Sequence, residues 1–325
     1  MTPRIGITLG DPGGIGPEVV LKALSSVASL PEAEYVVFGS SQVVDAGLRA
    51  LGIHLDILPW DPGKPPEKGR IRLRNIHHSA DDIVPGSAAK GNGLASFSYF
   101  AEAIKAAQGG GIRAVVTAPI SKTSWRLAGL EWRGHTEYLE EMYPDTVMTF
   151  WSERIRVALL SHHLPLREAL NKVRKKPLLE FLRSLSRTLE KIKPGEFELA
   201  VAGLNPHAGE DGLLGAEEEN EIRPAVREAR AEGLRVTGPF PPDTVFLQSL
   251  GRPGRMVVAL YHDQGLIAFK MEAFADGVNV TLGAPFIRTS PDHGTAFDIA
   301  GKGAADPRSM VEAIKLAVDL SLPLL

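Results

Sequence analysis

Short apolar runs alternate along this chain with longer stretches of helical period. Runs rich in Val, Ile, Leu and Ala lie at 5–9, 35–38, 114–117, 156–160, 199–202 and 256–261. Helical periodicity covers 17–26, 93–108, 177–192 and 216–231. Continuous apolar strands that alternate with helices are typical of a parallel sheet covered on both faces. The pattern therefore predicts an α/β fold.

The segment 59–75, PWDPGKPPEKGRIRLRN, interrupts this alternation and is dense in Pro, Gly and charge. It predicts an irregular excursion or a hairpin, not a hinge between independent domains. The length of 325 residues exceeds the roughly 250 to 300 at which single cores split, which predicts two lobes. We expect a first lobe from 1–130 with 275–325 and a second from 131–274, so that the chain crosses between them more than once.

Composition excludes several classes of protein. The net charge is -3 and cysteine is absent, so neither a basic nucleic-acid footprint nor a thiolate or disulfide is expected. Any metal ion must be held by His, Asp or Glu. No apolar run approaches the ~18 residues of a membrane helix, and Gly10 and Asp11 interrupt the N-terminal run too early for a signal peptide. We expect a cytoplasmic protein that binds neither nucleic acid nor membrane.

A glycine-rich turn, GDPGGIGPE at 10–18, follows the first strand and opens a helix. Glycines allow close backbone approach, and a helix N-terminus offers N–H groups to an anion. A Rossmann dinucleotide site would need an acidic residue about 20 positions further on, but the second strand ends in Phe38-Gly39-Ser40. A plain strand-to-helix turn remains an equal alternative at this point.

Histidines follow three apolar strands directly. They are His162 and His163, His207, and His262. Strand ends of an open α/β sheet converge on one crevice, and three imidazoles with open positions are the ligand count of a catalytic metal site. Any one of them alone is more often a packing residue, but the joint placement favours a metal site. Asp263 follows His262 and could orient it.

Polar residues also interrupt apolar stretches elsewhere. The segment GHTE places His135 beside Thr136, the predicted N-cap of a helix, and Lys270 ends the apolar stretch GLIAFK. Asn279 lies inside a strand-like run and Arg288 follows APFI. A buried polar side chain needs a partner, so these are candidate ligand contacts, although Lys270 and Arg288 could simply reach solvent.

The segment HGTAFDIAGKG at 293–303 is a second glycine-rich loop, ahead of a helix from about 307. Met310, Ile314 and Ala317 form a stripe on that helix, which predicts a core-facing side. The loop itself is too specific in composition to be an ordinary turn.

Together these motifs resemble the 4-hydroxythreonine-4-phosphate dehydrogenase family of the pyridoxal 5'-phosphate pathway. The resemblance spans nearly the whole chain, and it includes ITLGDPGGIGPEV, TAPISK, GHTEYL, SHHLPL, GLNPHAGEDG, PPDTVF, YHDQGLIAFK and NVTLGAPFIRTSPDHGTAFDIAGKG. The first and last of these also resemble loops of the isocitrate and isopropylmalate dehydrogenases. That similarity implies a two-lobed fold with the active site in the interlobe cleft. Phe297 departs from the proline that the isopropylmalate relatives tend to have.

The resemblance also implies roles for individual residues. The implied metal ligands are His163, His207 and His262, for one divalent ion per site, Zn, Mg, Co or Mn. The implied substrate contacts are His135, Thr136, Lys270, Asn279 and Arg288. The implied contacts to NAD or NADP are His293, Gly294, Thr295 and Asp298. The family is a homodimer with a shared active site, so the histidines are expected from two chains, with the ligands and the dimer interface in the second lobe.

The implied reaction is the NAD-dependent oxidation and decarboxylation of 4-phosphooxy-L-threonine to 3-amino-2-oxopropyl phosphate. A divalent ion polarises the reacting oxygen, and Lys270 is a candidate catalytic residue for proton transfer, with Asp243 as a second candidate. One alternative is the same chemistry on 4-phosphothreonate or 4-phosphoerythronate. Another is a non-catalytic, metal-dependent binder of phosphorylated metabolites, which would have no use for the loop at 293–303.

Overall fold

The computed structural model describes residues 2–79 and 82–324, and its contacts divide the chain into two compact units. The first unit is Met1–Pro144 with Ala284–Leu325, and the second is Asp145–Gly283. Positions 1 and 325, the outer bounds of the predicted first lobe, lie outside the described residues. Both units are mixtures of strands and helices, as the apolar pattern predicts.

The first unit is built on parallel strands. Its strands are β1 (Arg4–Thr8), β2 (Glu34–Gly39), β3 (Ile57–Pro59), β4 (Ile71–Asn75), β5 (Ala114–Thr117) and β12 (Ile287–Pro291). They lie in the order β3-β4-β2-β1-β5-β12, and every neighbouring pair is parallel. Every residue of β1, β2, β5 and β12 is buried, which explains why these strands lack polar alternation.

Helices cover this sheet. They are α1 (Gly16–Ser25), α2 (Ser41–Leu51), α3 (Lys90–Gln108), α4 (Lys122–Leu127), α5 (His135–Met142) and α11 (Arg308–Ser321). Aromatic side chains of α3 and α4, among them Phe100 and Trp125, pack into one core cluster with Phe38 of β2. Met310, Ile314 and Ala317 of α11 are fully buried, so the predicted core stripe is confirmed.

The second unit has a mixed sheet. Its strands are β6 (Val147–Trp151), β7 (Arg156–Leu159), β8 (Glu198–Ala202), β9 (Val236–Phe240), β10 (Arg255–Ala259) and β11 (Val278–Leu282). The order is β11-β6-β7-β10-β8-β9, antiparallel at β11-β6 and β6-β7 and parallel beyond. Strands β7, β10 and β8, which precede the predicted ligand histidines, are therefore parallel neighbours.

The helices of the second unit are α6 (Leu166–Leu170), α7 (Lys175–Ile192), α8 (Arg223–Ala231), α9 (Val245–Ser249) and α10 (His262–Ala273). Leu178, Leu182, Leu185 and Leu189 form the buried stripe of α7 at helical spacing. A single π-helical turn, Glu218–Ile222, runs directly into α8. The helix expected over 216–231 therefore begins as a π turn.

Among the helices in the described part of the chain, none is long and apolar enough to span a membrane.

Of the two interpretations of 59–75, an irregular excursion and a hairpin, the structure excludes the hairpin. Strands β3 and β4 pair parallel to each other, whereas a hairpin is antiparallel. The connection between them is held by Glu34 of β2, whose carboxylate accepts a hydrogen bond from the Glu67 N–H at 3.0 Å and lies 3.4 Å from Arg72 Nε. The segment thus adds an edge to the parallel sheet of the first unit.

The unit boundaries fall later in the chain than positions 130 and 274. Residues 131–144 belong to the first unit because Leu139 and Tyr138 of α5 pack into its aromatic core. Residues 275–283 belong to the second unit because β11 pairs with β6. Neither packing preference is visible in the local apolar pattern.

Candidate active site

A buried arginine and a buried histidine form the polar centre of the first unit. Arg288 lies on β12 opposite Val115 of β5, and its side chain is 4% exposed. Its Nε and Nη2 donate to the Thr117 hydroxyl oxygen at 3.0 and 2.7 Å. Its Nη2 also lies 3.2 Å from Nδ1 of His135, the first residue of α5. The alternative that Arg288 reaches solvent is thus wrong.

The tautomer of His135 follows from this contact. A guanidinium group can only donate, so His135 Nδ1 accepts and the proton of the neutral ring is on Nε2. Burial, and then the nearby positive charge of Arg288, hold the pKa of His135 well below its ordinary value. The Nε2 atom is itself buried and has no hydrogen-bond partner among the described residues. The ring therefore keeps one unused N–H donor.

Aromatic side chains hold the His135 ring in this orientation. Its centroid lies 4.4 Å from that of Phe100 and 5.5 Å from that of Trp125. Burial lowers the pKa of Arg288 to about 10, so the guanidinium stays charged at neutral pH. A fixed cation and a fixed neutral donor side by side suit a phosphate group, which offers acceptors only.

The depressed pKa of His135 gives a prediction for stability. The folded state resists protonation of this ring, whereas the unfolded chain protonates it below its ordinary pKa near 6.5. The contribution of His135 to the free energy of unfolding is therefore fully present above that pH and is lost as the pH falls below it. We expect the melting temperature of the wild type to fall more steeply from pH 7.5 to 5 than that of His135→Asn, which keeps an acceptor but cannot be protonated. Parallel melting curves for the two proteins would contradict this assignment.

The remaining predicted contacts divide between the units. Thr136 is the second residue of α5 and does not cap it, because the helix begins at His135 after an extended Gly134. Lys270 lies within α10 of the second unit, not after a strand. Asn279 lies on β11, and its Oδ1 is buried without a partner among the described residues.

Two of the predicted metal ligands lie together in the second unit. The ring centroids of His163 and His262 are 5.8 Å apart, beside a cavity of about 310 Å³ that Ser161, Tyr261 and Leu164 also line. His262 Nδ1 lies 2.7 Å from Asp263 Oδ1. Because a carboxylate accepts, Nδ1 carries the proton of the neutral ring, and Nε2 keeps the lone pair that a metal ion requires.

His207 follows the third of these adjacent strands, but it does not complete a triad. Within residues 2–79 and 82–324, no group of three or more His, Asp or Glu side chains is placed to hold a metal ion. His163 and His207 both have positive φ, 50° and 53°, a backbone conformation that is uncommon outside glycine and concentrates at functional sites. One chain thus provides a pair of adjacent imidazoles and a third on a strained, exposed loop.

The two glycine-rich loops of the first unit are joined to each other. The Ile15 N–H donates to the Thr295 carbonyl at 2.9 Å, and a Cβ added at Gly14 would come within 2.8 Å of the same oxygen. His293 Nε2 is buried without a partner in the described part of the chain. A largely apolar cavity of about 340 Å³ lies beside these loops, between Pro12, α2 and Ala300. Gly294 and Asp298 are exposed.

Comparison with known proteins decides the family. The model of the family described as pyridoxal phosphate biosynthetic protein PdxA matches residues 31–317. The chain belongs to the PdxA family. It is 42% identical to the 4-hydroxythreonine-4-phosphate dehydrogenase of Desulforapulum autotrophicum, over 97% of this chain and 94% of that protein.

Another PdxA-type relative carries a different name. A protein of Symbiobacterium thermophilum, provisionally named D-threonate 4-phosphate dehydrogenase, is 38% identical over 97% of this chain and 95% of its own length. Among solved structures, the 4-hydroxythreonine-4-phosphate dehydrogenase of Klebsiella pneumoniae matches with a TM-score of 0.88 and 38% identity. That match covers 99% of this chain and 98% of the other. The family and the α/β fold expected from the motifs are thereby confirmed.

Sequence reasoning missed three side chains that support these sites. Thr117, Gln264 and Glu218 each accept or donate a buried or partly buried hydrogen bond that fixes a predicted site residue or its loop. Thr117 is the polar last residue of the apolar strand β5, inside the motif TAPISK, and that position was the available signal. Gln264 lies in the first turn of α10, where only the motif YHDQG pointed to it. Glu218 lies in the acidic run EEEN, which reads as an exposed helix start.

Proposed function

We propose that this PdxA-family protein is an NAD- and metal-dependent dehydrogenase that oxidises and decarboxylates 4-phosphooxy-L-threonine to 3-amino-2-oxopropyl phosphate. The observation that carries the proposal is the buried pair of Arg288 and His135, a preformed set of donors for a phosphate group. Relatives that match over nearly the whole chain are named for the oxidation of such a substrate. The product would enter the synthesis of pyridoxal phosphate, in agreement with the family description.

The proposed substrate contacts are His135, Thr136, Lys270, Asn279 and Arg288. Arg288 and the Nε2–H of His135 bind the phosphate, and the backbone N–H of Thr136 in the first turn of α5 adds a donor. The unpartnered Oδ1 of Asn279 accepts an N–H or O–H of the substrate. Lys270 is the proposed catalytic residue: it would take the proton from the hydroxyl group of the substrate, or deliver a proton to the carbon that has lost CO2.

The histidines of the second unit fit a divalent metal ion. His163, His207 and His262 would hold it, and the Asp263 carboxylate fixes the tautomer of His262 that leaves Nε2 available. A bound metal ion would supply polarisation of the alcohol oxygen, and NAD would supply the acceptor for the hydride of the carbon that bears it. Imidazole donors suit zinc or cobalt better than magnesium or manganese, which prefer oxygen ligands.

The joined loops of the first unit fit a nicotinamide dinucleotide. His293, Gly294, Thr295 and Asp298 are the proposed contacts, because Nε2 of His293 is an unused polar atom and Gly294 leaves open space for a close ligand. The nearby Arg308 is paired with the carboxylate of Asp306 at 2.6 Å, which competes with binding of a 2'-phosphate. This pairing favours NAD over NADP.

A homodimer completes the proposed site. Since the described residues of one chain do not bring three ligands together, a second copy is proposed to supply the missing histidine. Helix α10, which begins at His262, exposes Ile267 and Met271 by 63 and 86%, and Phe274, directly after the helix, is 83% exposed. These residues recur at helical spacing next to the histidine pair, and such an apolar stripe suits an interface between copies. A cytoplasmic location stays a prediction from the sequence.

The second candidate function is the same reaction on D-threonate 4-phosphate or a related sugar acid. The relative from Symbiobacterium thermophilum favours it, because its identity to this chain is only slightly lower than that of the 4-hydroxythreonine-4-phosphate dehydrogenases. Both substrates carry the phosphate that Arg288 and His135 would bind, so this pair does not distinguish them.

Metal removal tests the proposed function. We expect dialysis against a chelator to reduce NADH formation from 4-phosphooxy-L-threonine to background, and zinc or cobalt to restore it. Full activity after the metal content has been shown to be below one ion per ten chains would contradict the metal-dependent mechanism. Activity of the same preparation before dialysis is the control.

A further inference from the structure

Glu218 is a buried carboxylate that the proposed reaction does not use. Its side chain lies in the π-helical turn Glu218–Ile222 and is 0% exposed. A buried carboxylate is costly unless hydrogen bonds compensate it, so its partners show what it stabilises. π-Helical turns are rare and are found frequently at functional sites.

The hydrogen bonds that the Glu218 carboxylate accepts from the described residues come from one short stretch. Oε1 accepts from the backbone N–H groups of Leu204 and Asn205, both at 2.7 Å. Oε2 accepts from the Asn205 side-chain amide at 2.8 Å. This stretch connects β8 to Pro206 and His207, so the carboxylate fixes the backbone directly before the proposed metal ligand.

The loop closes around the same carboxylate from its other side. A Cβ added at Gly209 would lie 2.8 Å from Glu218 Oε2, and one added at Gly203 would lie 3.2 Å from Oε1. Between them, His207 and Ala208 have φ of 53° and 55°, and the left-handed run continues through Asp211. Non-glycine residues in this region cost roughly 1–2 kcal/mol each, so surrounding contacts must hold them there.

A second tether joins this loop to the other ligand-bearing turn. Gln264 of α10 donates from Nε2 to the Gly203 carbonyl at 2.7 Å, and its Oε1 accepts from the Leu260 N–H at 2.7 Å. His262 lies between Leu260 and Gln264 in the chain, so this second hydrogen bond closes the turn that carries it. The base of the His207 loop is thus held by Glu218 on one side and by the turn of His262 on the other.

We infer that Glu218 is a positioning residue that holds the His207 loop in the conformation that presents its imidazole to the metal ion. This inference rests on the proposed function, in which His207 is a metal ligand. Glu218 does not touch the metal ion or the substrate. It acts through the backbone of Leu204 and Asn205, and its removal should weaken metal binding while leaving the phosphate site of the first unit intact.

The test is titration of chelator-treated protein with Co²⁺, followed by its visible absorption. In Glu218→Gln one amide oxygen can still accept from the two backbone N–H groups, but the new NH2 group faces the Asn205 amide, donor against donor. We expect the Co²⁺ dissociation constant to rise about 10- to 100-fold, as for other residues that orient metal ligands. Excess Co²⁺ should restore kcat, which a general loss of folded protein would not allow.

Glu219→Gln is the matched control. Glu219 is the next residue of the same turn, is exposed, and pairs with Arg223 at 2.7 Å. The Co²⁺ affinity of the Glu219→Gln variant should equal that of the wild type. Wild-type affinity in a folded Glu218→Gln variant, alongside lost binding in His207→Ala, would overturn the inference and leave the proposed function standing. Failure of the wild type to bind Co²⁺ would overturn both.

Gly209→Ala keeps the test decisive if Glu218→Gln does not fold. The added methyl group pushes against Glu218 Oε2 without removing the carboxylate. We expect the same weakening of Co²⁺ binding. Gly212→Ala is the control, because Gly212 shares the left-handed backbone of Gly209, with φ of 92° against 81°, but a Cβ there meets nothing within 4 Å. Unchanged Co²⁺ affinity in Gly209→Ala would overturn the positioning role.

Discussion

Arg288→Ala is expected to lower kcat/KM for the phosphorylated substrate by about 100- to 1,000-fold, mainly through KM. Hydrogen bonds to charged groups contribute roughly 1.5–3 kcal/mol each, and a phosphate can accept two from one guanidinium group. The substitution also removes the donor that fixes the tautomer of His135. Steady-state kinetics with the phosphorylated substrate and with its dephosphorylated form would measure the effect.

The dephosphorylated substrate is the internal control for Arg288→Ala. The kcat/KM for the dephosphorylated substrate is expected to be low in the wild type and to change little in Arg288→Ala. The ratio of kcat/KM for the phosphorylated over the dephosphorylated substrate should therefore fall. Thr117→Val is the matched variant, because it removes the hydroxyl that accepts from Arg288 Nε and Nη2 but keeps the charge. It should lower kcat/KM about tenfold, because the guanidinium group loses the acceptor that orients it but keeps the charge that binds the phosphate. An unchanged KM in Arg288→Ala, with native melting behaviour, would remove Arg288 from the phosphate site.

His207→Ala is expected to lower turnover at least about 1,000-fold, because loss of a ligand removes a metal ion that supplies several kcal/mol of transition-state stabilisation. The folded structure should persist, since His207 lies exposed on its loop. Metal content per chain, measured after gel filtration, should fall together with activity. Retention of both the metal ion and full activity would exclude His207 as a ligand.

Mixing His207→Ala with His262→Ala tests whether two chains share the site. If His207 and His262 of one site come from different subunits, half of the randomly mixed dimers contain one intact site, and about a quarter of wild-type activity returns. If both ligands come from one chain, every site in a mixed dimer lacks a histidine. The mixture would then be as inactive as each variant alone.

Much of the fold can be predicted from the sequence because its parallel strands are buried on both faces. The run at 114–117 coincides with β5, and the other predicted strands differ from β1, β2, β7, β8 and β10 by one or two residues at their ends. The edge at β3 and β4 could not be predicted, because its pairing depends on Glu34 of β2, far away in sequence. Composition in 59–75 shows only that the chain leaves regular structure.

The site residues that directly follow strands could be predicted from the sequence, but the loop conformations that support them could not. The adjacency of β7, β10 and β8 explains why histidines after those strands could be grouped from sequence alone. That grouping does not fix the position of the His207 side chain relative to His163 and His262. Its position depends on the conformation of the loop, which Glu218 and the left-handed residues at 207–211 determine. Similarly, Arg288 and His135 were each visible as polar residues in apolar surroundings, but their mutual contact depends on β12 lying beside β5.

The most direct test of the account is NADH formation by the purified protein with one divalent metal ion at a time. The substrates to compare are 4-phosphooxy-L-threonine, 4-phosphothreonate and 4-phosphoerythronate, each with NAD and with NADP. The account predicts metal-dependent turnover with NAD and a kcat/KM that is highest for 4-phosphooxy-L-threonine. Turnover with the sugar acids alone would contradict the proposed substrate, and no turnover with any of the three would contradict the proposed enzyme.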